Sequence, residues 1–124
     1  MLAIGIDPGT AICGFGLVEM IGNRLRPVHY GAVFTDKNML PEMRLKKIYD
    51  GLTELIDTYH PDIMSVEQLF FNRNVTTAIS VGQARGVVLL TAANRGLPDA
   101  VADALAIAVC GLHTAATRRW TELK

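Results

Sequence analysis

The sequence predicts an α/β domain built on a mixed sheet, and three observations carry that reading. A short apolar strand, Leu2 to Ile6, stops abruptly at Asp7 and turns at once on Pro8-Gly9. Two strand-like runs then come in hairpin order. Near Pro41 the hydrophobic period lengthens to that of a helix, which leads into a fourth apolar strand. Such a helical crossover lets the fourth strand lie parallel to the first and beside it.

Each element has its own justification. In the first strand Leu2, Ile4 and Ile6 alternate with Ala3 and Gly5, so both faces can be covered, as in a central strand. Gly14 to Met20 is the second strand, and Ile21-Gly22-Asn23-Arg24 is the turn signal into the third, Leu25 to Phe34. Pro27 suits an edge position. Thr35 to Asn38 is a polar loop. Leu45, Ile48, Leu52, Leu55, Ile56 and Tyr59 recur at helical spacing, which predicts an amphipathic helix from Pro41 to Tyr59, with Pro41 in its first turn and His60-Pro61-Asp62 as its stop.

Ile63 to Leu69 is a buried-looking strand with Glu67 near its end, followed by the loop Phe70 to Asn74. A long apolar helix runs from Val75 to Asn94, and its small residues Ala78, Gly82, Ala84 and Gly86 are expected to allow close packing on the sheet. Gly96 reads as its C-terminal cap. A last helix opens at Asp99 and runs to Thr114. The chain therefore divides into a domain at residues 1–114 and a polar tail at 115–124.

Composition bounds the function. Half of the 124 residues are hydrophobic and 19% are charged, which excludes a disordered chain. Twelve basic and twelve acidic residues leave no net charge, a mild argument against a nucleic-acid binder. Cys13 and Cys110 form no paired motif and read as small buried residues in a reducing compartment. With no signal peptide and no membrane span visible, a soluble cytoplasmic protein is expected.

The acidic positions carry the chemistry. Asp7 and Glu67 would close two adjacent parallel strands, which lie about 4.8 Å apart, so that both carboxylates can share a metal ion. Asp before Pro-Gly also starts ordinary turns, and that remains the alternative for Asp7. Asp99 and Asp103, four residues apart, fall on one face of the last helix. Asp99 alone could be a helix cap. Asp103 stands among Ala100, Val101, Ala102, Ala104, Leu105 and Ile107, where a carboxylate needs a metal or a buried salt bridge. Oxygen ligands suit Mg²⁺ or Mn²⁺. Two such ions about 4 Å apart can activate a water and stabilise the leaving oxygen of a phosphodiester. His29, His60 and His113 are scattered and suggest no competing site.

Four ordered blocks resemble one family. Gly5-Ile6-Asp7-Pro8-Gly9-Thr10, Val66-Glu67-Gln68-Leu69-Phe70, Gly82-Gln83-Ala84-Arg85-Gly86 and Ala102-Asp103-Ala104-Leu105-Ala106-Ile107-Ala108 are similar to RuvC, the bacterial Holliday junction resolvases. The resemblance implies an RNase H-like fold with helices on both faces of the sheet. It implies a homodimer that cuts four-way DNA junctions with Mg²⁺ or Mn²⁺ and works with a branch-migration complex. Asp7, Glu67 and Asp103 match family metal ligands. Phe70 matches an aromatic that wedges or stacks at the junction, with Phe71 as the alternative exposed ring. Arg73 and Arg85 could contact phosphate.

Two departures stand out. The family places another acid, or a histidine, three residues before the position of Asp103; here that residue is Ala100, and the acid is Asp99. After Gly96-Leu97-Pro98 the family has a fifth strand and a Lys-rich helix, whereas here Pro98 runs directly into Asp99. Loss of that segment would remove basic surface and leave an open sheet edge. Three other readings stay open. The chain could be an RNase H-like nuclease acting on RNA, or a non-catalytic junction-binding or dimerisation module. An Asp-x-Gly-Thr phosphate turn of the sugar-kinase and actin type also fits Asp7 to Thr10, although the second glycine turn of that group is not visible.

Overall fold

A computed structural model describes residues 1–66 and 75–98 of the chain. The elements are β1 (Leu2–Asp7), β2 (Ile12–Ile21), β3 (Arg24–Phe34), α1 (Pro41–Tyr59), β4 (Ile63–Val66) and α2 (Val75–Asn94). The strands form one sheet in the order β3-β2-β1-β4, with β4 parallel to β1 and the other pairs antiparallel. The predicted crossover therefore delivers β4 beside β1.

Both helices have the bounds that periodicity predicts. α1 starts with Pro41 in its first turn and ends at His60, which adopts a left-handed conformation (φ 52°) and donates its N–H to the Ile56 carbonyl. α2 closes on Gly96 at φ 68°, the conformation expected of its cap. The strands β2 and β3 are longer than expected. Ile21 and Arg24 pair directly, so the hairpin turn shrinks to Gly22-Asn23, with positive φ at Gly22. Among the described strands β3 is an edge of the sheet, which accommodates Pro27. The register with β2 shifts between Leu17 and Val18 because Leu17 faces His29 while Val18 faces Pro27, leaving Val28 as an extra residue.

One face of the sheet holds the core. Ile4, Ile6, Cys13, Phe15, Leu17, Met64 and Val66 cluster with Ile48, Leu52 and Ile56 of α1 and with Ala84, Val88 and Ala92 of α2. Among the described residues both helices pack on this face; the helix predicted from Asp99 lies outside them. His29 is an exposed histidine whose ring centroid lies 5.6 Å from those of Phe15 and Tyr59. The opposite face is lined by small buried residues near Asp7, namely Gly5, Gly14, Gly16 and Ser65, and by Ala3, Val18 and Ile63 further from it.

The expectation for the α2 glycines is corrected. Ala84 is buried against the core, but a Cβ at Gly82 or Gly86 would meet nothing within 4 Å. The helix is apolar nearly all round, so composition alone could not set its phase. Val81, Ala84, Val88 and Ala92 take the packed side, and the glycines fall on the exposed one with Ile79 and Leu90. Among the described residues no helix is long and apolar enough to cross a membrane.

Candidate functional site

Asp7 closes β1 and is half-buried. Register sets it opposite Gly14, on the face of Gly5, Gly16 and Ser65 and away from α1 and α2. No ion pair among the described residues involves it. The turn beyond it does not consume its carboxylate either. Pro8 has no N–H to offer, and the N–H of Gly9 goes to the sulfur of Cys13. Asp36 shows what a turn-starting acid looks like here: its Oδ1 accepts the Asn38 N–H at 2.8 Å.

The height of β1 against β4 is fixed at the opposite end. The Asp62 N–H donates to the Leu2 carbonyl (2.7 Å), and the Leu2 N–H donates to Asp62 Oδ2 (2.8 Å). From this double contact the pairs run Ala3–Ile63, Ile4–Met64, Gly5–Ser65 and Ile6–Val66. The last pair immediately precedes Asp7 in one strand and Glu67 in the other. Glu67, Phe70, Phe71, Arg73, Asp99 and Asp103 lie outside the described residues.

The turn carrying Asp7 is clamped. A Cβ at Gly9 would stand 2.5 Å from the Ile12 carbonyl oxygen, so only glycine fits there. Thr35, just beyond β3, donates its N–H to the Ala11 carbonyl (3.0 Å) and its hydroxyl to the Thr10 carbonyl. Arg44 of α1 in turn donates its Nε–H to Thr35 Oγ1 (2.9 Å). Thr35 and Arg44 were not among the residues singled out from the sequence. They are nine residues apart on different elements, and no spacing rule connects them to Asp7. Cys13, buried beside the turn, has its thiol pushed up to about 12, first by burial and further by the charge of Asp7, against the opposing Gly9 hydrogen bond.

Arg85 is half-buried on α2, and its Nε is buried without a hydrogen-bond partner. Among the described residues no three His, Cys, Asp or Glu side chains gather into a metal site, and Asp7 is the described member of the expected acidic set. A carboxylate with no ion pair among the described residues, above small residues that leave space beside it, suits a hard cation.

A hairpin-joined trio of strands, a helical crossover and a parallel fourth strand, with a carboxylate ending the first, define an RNase H-like α/β domain. The comparisons with known proteins narrow this class. Residues 3–100 match the family model described as crossover junction endodeoxyribonuclease RuvC. A RuvC from Desulforamulus reducens is 51% identical over 100 residues, 81% of this chain and 61% of that protein. A RuvC from Pelotomaculum thermopropionicum is 37% identical over 164 aligned positions that span all of both chains, so it carries residues with no counterpart among these 124. Among solved structures, a Thermus thermophilus RuvC in complex with a Holliday junction substrate superposes with a TM-score of 0.75 at 32% identity, over 80% of this chain and 63% of that one. The chain belongs to the RuvC family. It spans about 61% of the Desulforamulus relative's length.

Proposed function

We propose that this chain is a metal-dependent endonuclease that hydrolyses phosphodiesters of four-way DNA junctions, in recombination and repair in the bacterial cytoplasm. The observation that carries this reading is the β1–β4 register, with Ile6 level with Val66. One further residue in each strand would bring Asp7 and Glu67 side by side on the small-residue face. That floor of Ala3, Gly5, Gly14 and Gly16 leaves room for the alanine-rich segment from Asp99 to lie close. Asp103 would thereby come to the same place, with Asp99 standing in for the acid absent at Ala100.

Asp7, Glu67 and Asp103 would hold two Mg²⁺ or Mn²⁺ ions, which when bound supply a polarised water and neutralise charge on the leaving oxygen. The clamp from Arg44 through Thr35 holds the Asp7 turn in place. Phe70 or Phe71 would stack against an unpaired base at the crossover, and Arg73 and Arg85 would take phosphates. The exposed α2 stripe of Gly82, Gly86 and Leu90 is the surface on which two copies would pair. The branch-migration partner is inferred from the family alone.

The test is cleavage of a labelled four-way junction with Mg²⁺ beside a linear duplex. Symmetric nicking confined to the junction is expected. Replacing Asp7 by Asn should slow it at least about a hundredfold, since metal-assisted charge stabilisation is worth several kcal/mol, while metal-free binding persists. Cleavage that survives Asp7→Asn would sink the assignment. One observation favours a second reading: the relatives' extra residues are absent here. Junction binding without cleavage at any Mg²⁺ or Mn²⁺ concentration would make the chain a non-catalytic module.

A further inference from the structure

Beside the Asp7 turn lies a cleft of about 270 Å³, lined by Thr10, Pro41, Arg44, Ile79, Ser80 and Gln83. It joins three elements: the turn between β1 and β2, the first turns of α1, and the N-terminal half of α2. Arg44 is its one charged residue among those described, and no described carboxylate lines it. No described acid pairs with Arg44, in contrast to Arg95, which is held by both oxygens of Asp57. A guanidinium has five N–H groups, and the bond to Thr35 engages only the one on Nε. The outer edge of the planar group is the part that matches the oxygens of a phosphate. The Ser80 hydroxyl is engaged with the Thr77 carbonyl at 3.2 Å, so Gln83 supplies the second donor. Pro41 and the 57%-exposed Ile79 give the cleft an apolar wall against which a sugar can rest.

We propose that this cleft is a subsite for a backbone phosphate of the DNA substrate, with Arg44 and Gln83 as its ligands. The proposal deepens the nuclease reading and rests on it. The geometry gives Arg44 two tasks on one side chain. Its Nε steadies the turn bearing Asp7, and its outer edge takes a phosphate near the scissile one. Binding there would set the height of the strand over the carboxylates.

The experiment measures binding of the full chain to a four-way junction, without divalent metal, as a function of KCl. Each phosphate contact adds about 0.9 to the log–log salt slope. Arg44→Gln and Gln83→Glu should each weaken binding about tenfold and flatten the slope by roughly one. Gln83 is not itself a partner in the Arg44–Thr35 bond. Thr35→Val breaks the clamp but removes no charge, and should slow cleavage with the slope unchanged. Lys46→Gln, an exposed position paired with Asp50, is the control and should change the binding little. Unchanged slopes in both cleft variants would overturn the proposal while leaving junction binding intact.

A second readout separates this failure from failure of the function itself. In ¹⁵N spectra, titration with a short single-stranded oligothymidylate should move the Arg44 Nε and Gln83 side-chain signals, and Gln83→Glu should abolish the Arg44 shift. That result supports the subsite even where the junction is not preferred over duplex. Still signals with a wild-type chain that binds junctions overturn the subsite alone. A wild-type chain that binds no DNA of any form overturns both.

Discussion

Cys13 lies next to the turn that carries Asp7, and its burial is a stability device with a definite pH window. Its thiol is pushed up from the ordinary thiol range to about 12, chiefly because the anion would be desolvated. A raised value favours the neutral thiol in the folded state. The associated stability is therefore complete below pH 9 and is lost as pH rises from about 9 towards 12. Urea midpoints should fall more steeply over that window for the wild type than for Cys13→Ala. At pH 8, iodoacetamide should leave Cys13 unlabelled in the native chain and label it in denaturant, as peptide mass mapping would show. Labelling of the native chain at the rate of a free thiol would contradict the burial. At this scale the sequence was legible in part. Asp7 could be picked out because a strand ending on an acid is a local pattern. Thr35 and Arg44 could not, because their meaning depends on where β3 ends relative to a turn more than twenty residues earlier.

Among the elements, α1 packs closely on β3 at Gly51. A Cβ there would stand 2.9 Å from a methyl of Val33. Gly51 lies inside a helix, where alanine is intrinsically better by about 1 kcal/mol. The contact reverses that preference, because valine has few rotamers in which to retreat. Gly51→Ala should therefore destabilise the fold by about 1–2 kcal/mol, the usual cost of overpacking. Adding Val33→Ala should recover part of this loss, whereas Val33→Ala alone creates a small void. A double-mutant cycle from urea titrations would measure the coupling, and strictly additive effects would refute the steric account. The bounds of α1 could be read from the sequence because its apolar stripe has a single phase and its ends carry Pro41 and His60-Pro61. The phase of α2 could not, since apolar residues surround it and only the neighbouring sheet decides which of them are covered.

The molecule as a whole turns on the chain beyond Pro98. β4 is the outermost described strand beyond β1, and the Met64 N–H donates to the Pro98 carbonyl (3.0 Å). The chain leaving α2 thus arrives on the outer side of β4, where an added strand would start. The Pelotomaculum relative carries additional residues within its alignment to this chain. The shortened form has twelve basic and twelve acidic residues and no net charge, a weak electrostatic platform for DNA. Grafting the relative's extra residues between Pro98 and Asp99 tests the expectation, drawn from the family resemblance, that a strand and a basic surface belong there. Metal-free junction affinity at low salt should rise at least about tenfold, and the log–log salt slope should steepen by about 0.9 for each further phosphate engaged. The added ladder should also raise the urea midpoint, since β4, whose outer edge bonds to Pro98 among the described residues, would acquire a full strand partner. Stronger junction binding with an unchanged salt slope would place the improvement in the restored sheet rather than in added charge. Unchanged affinity and an unchanged midpoint would mean that the short chain already holds its complete binding surface, with the clamped turn and the Arg44 cleft as its centre.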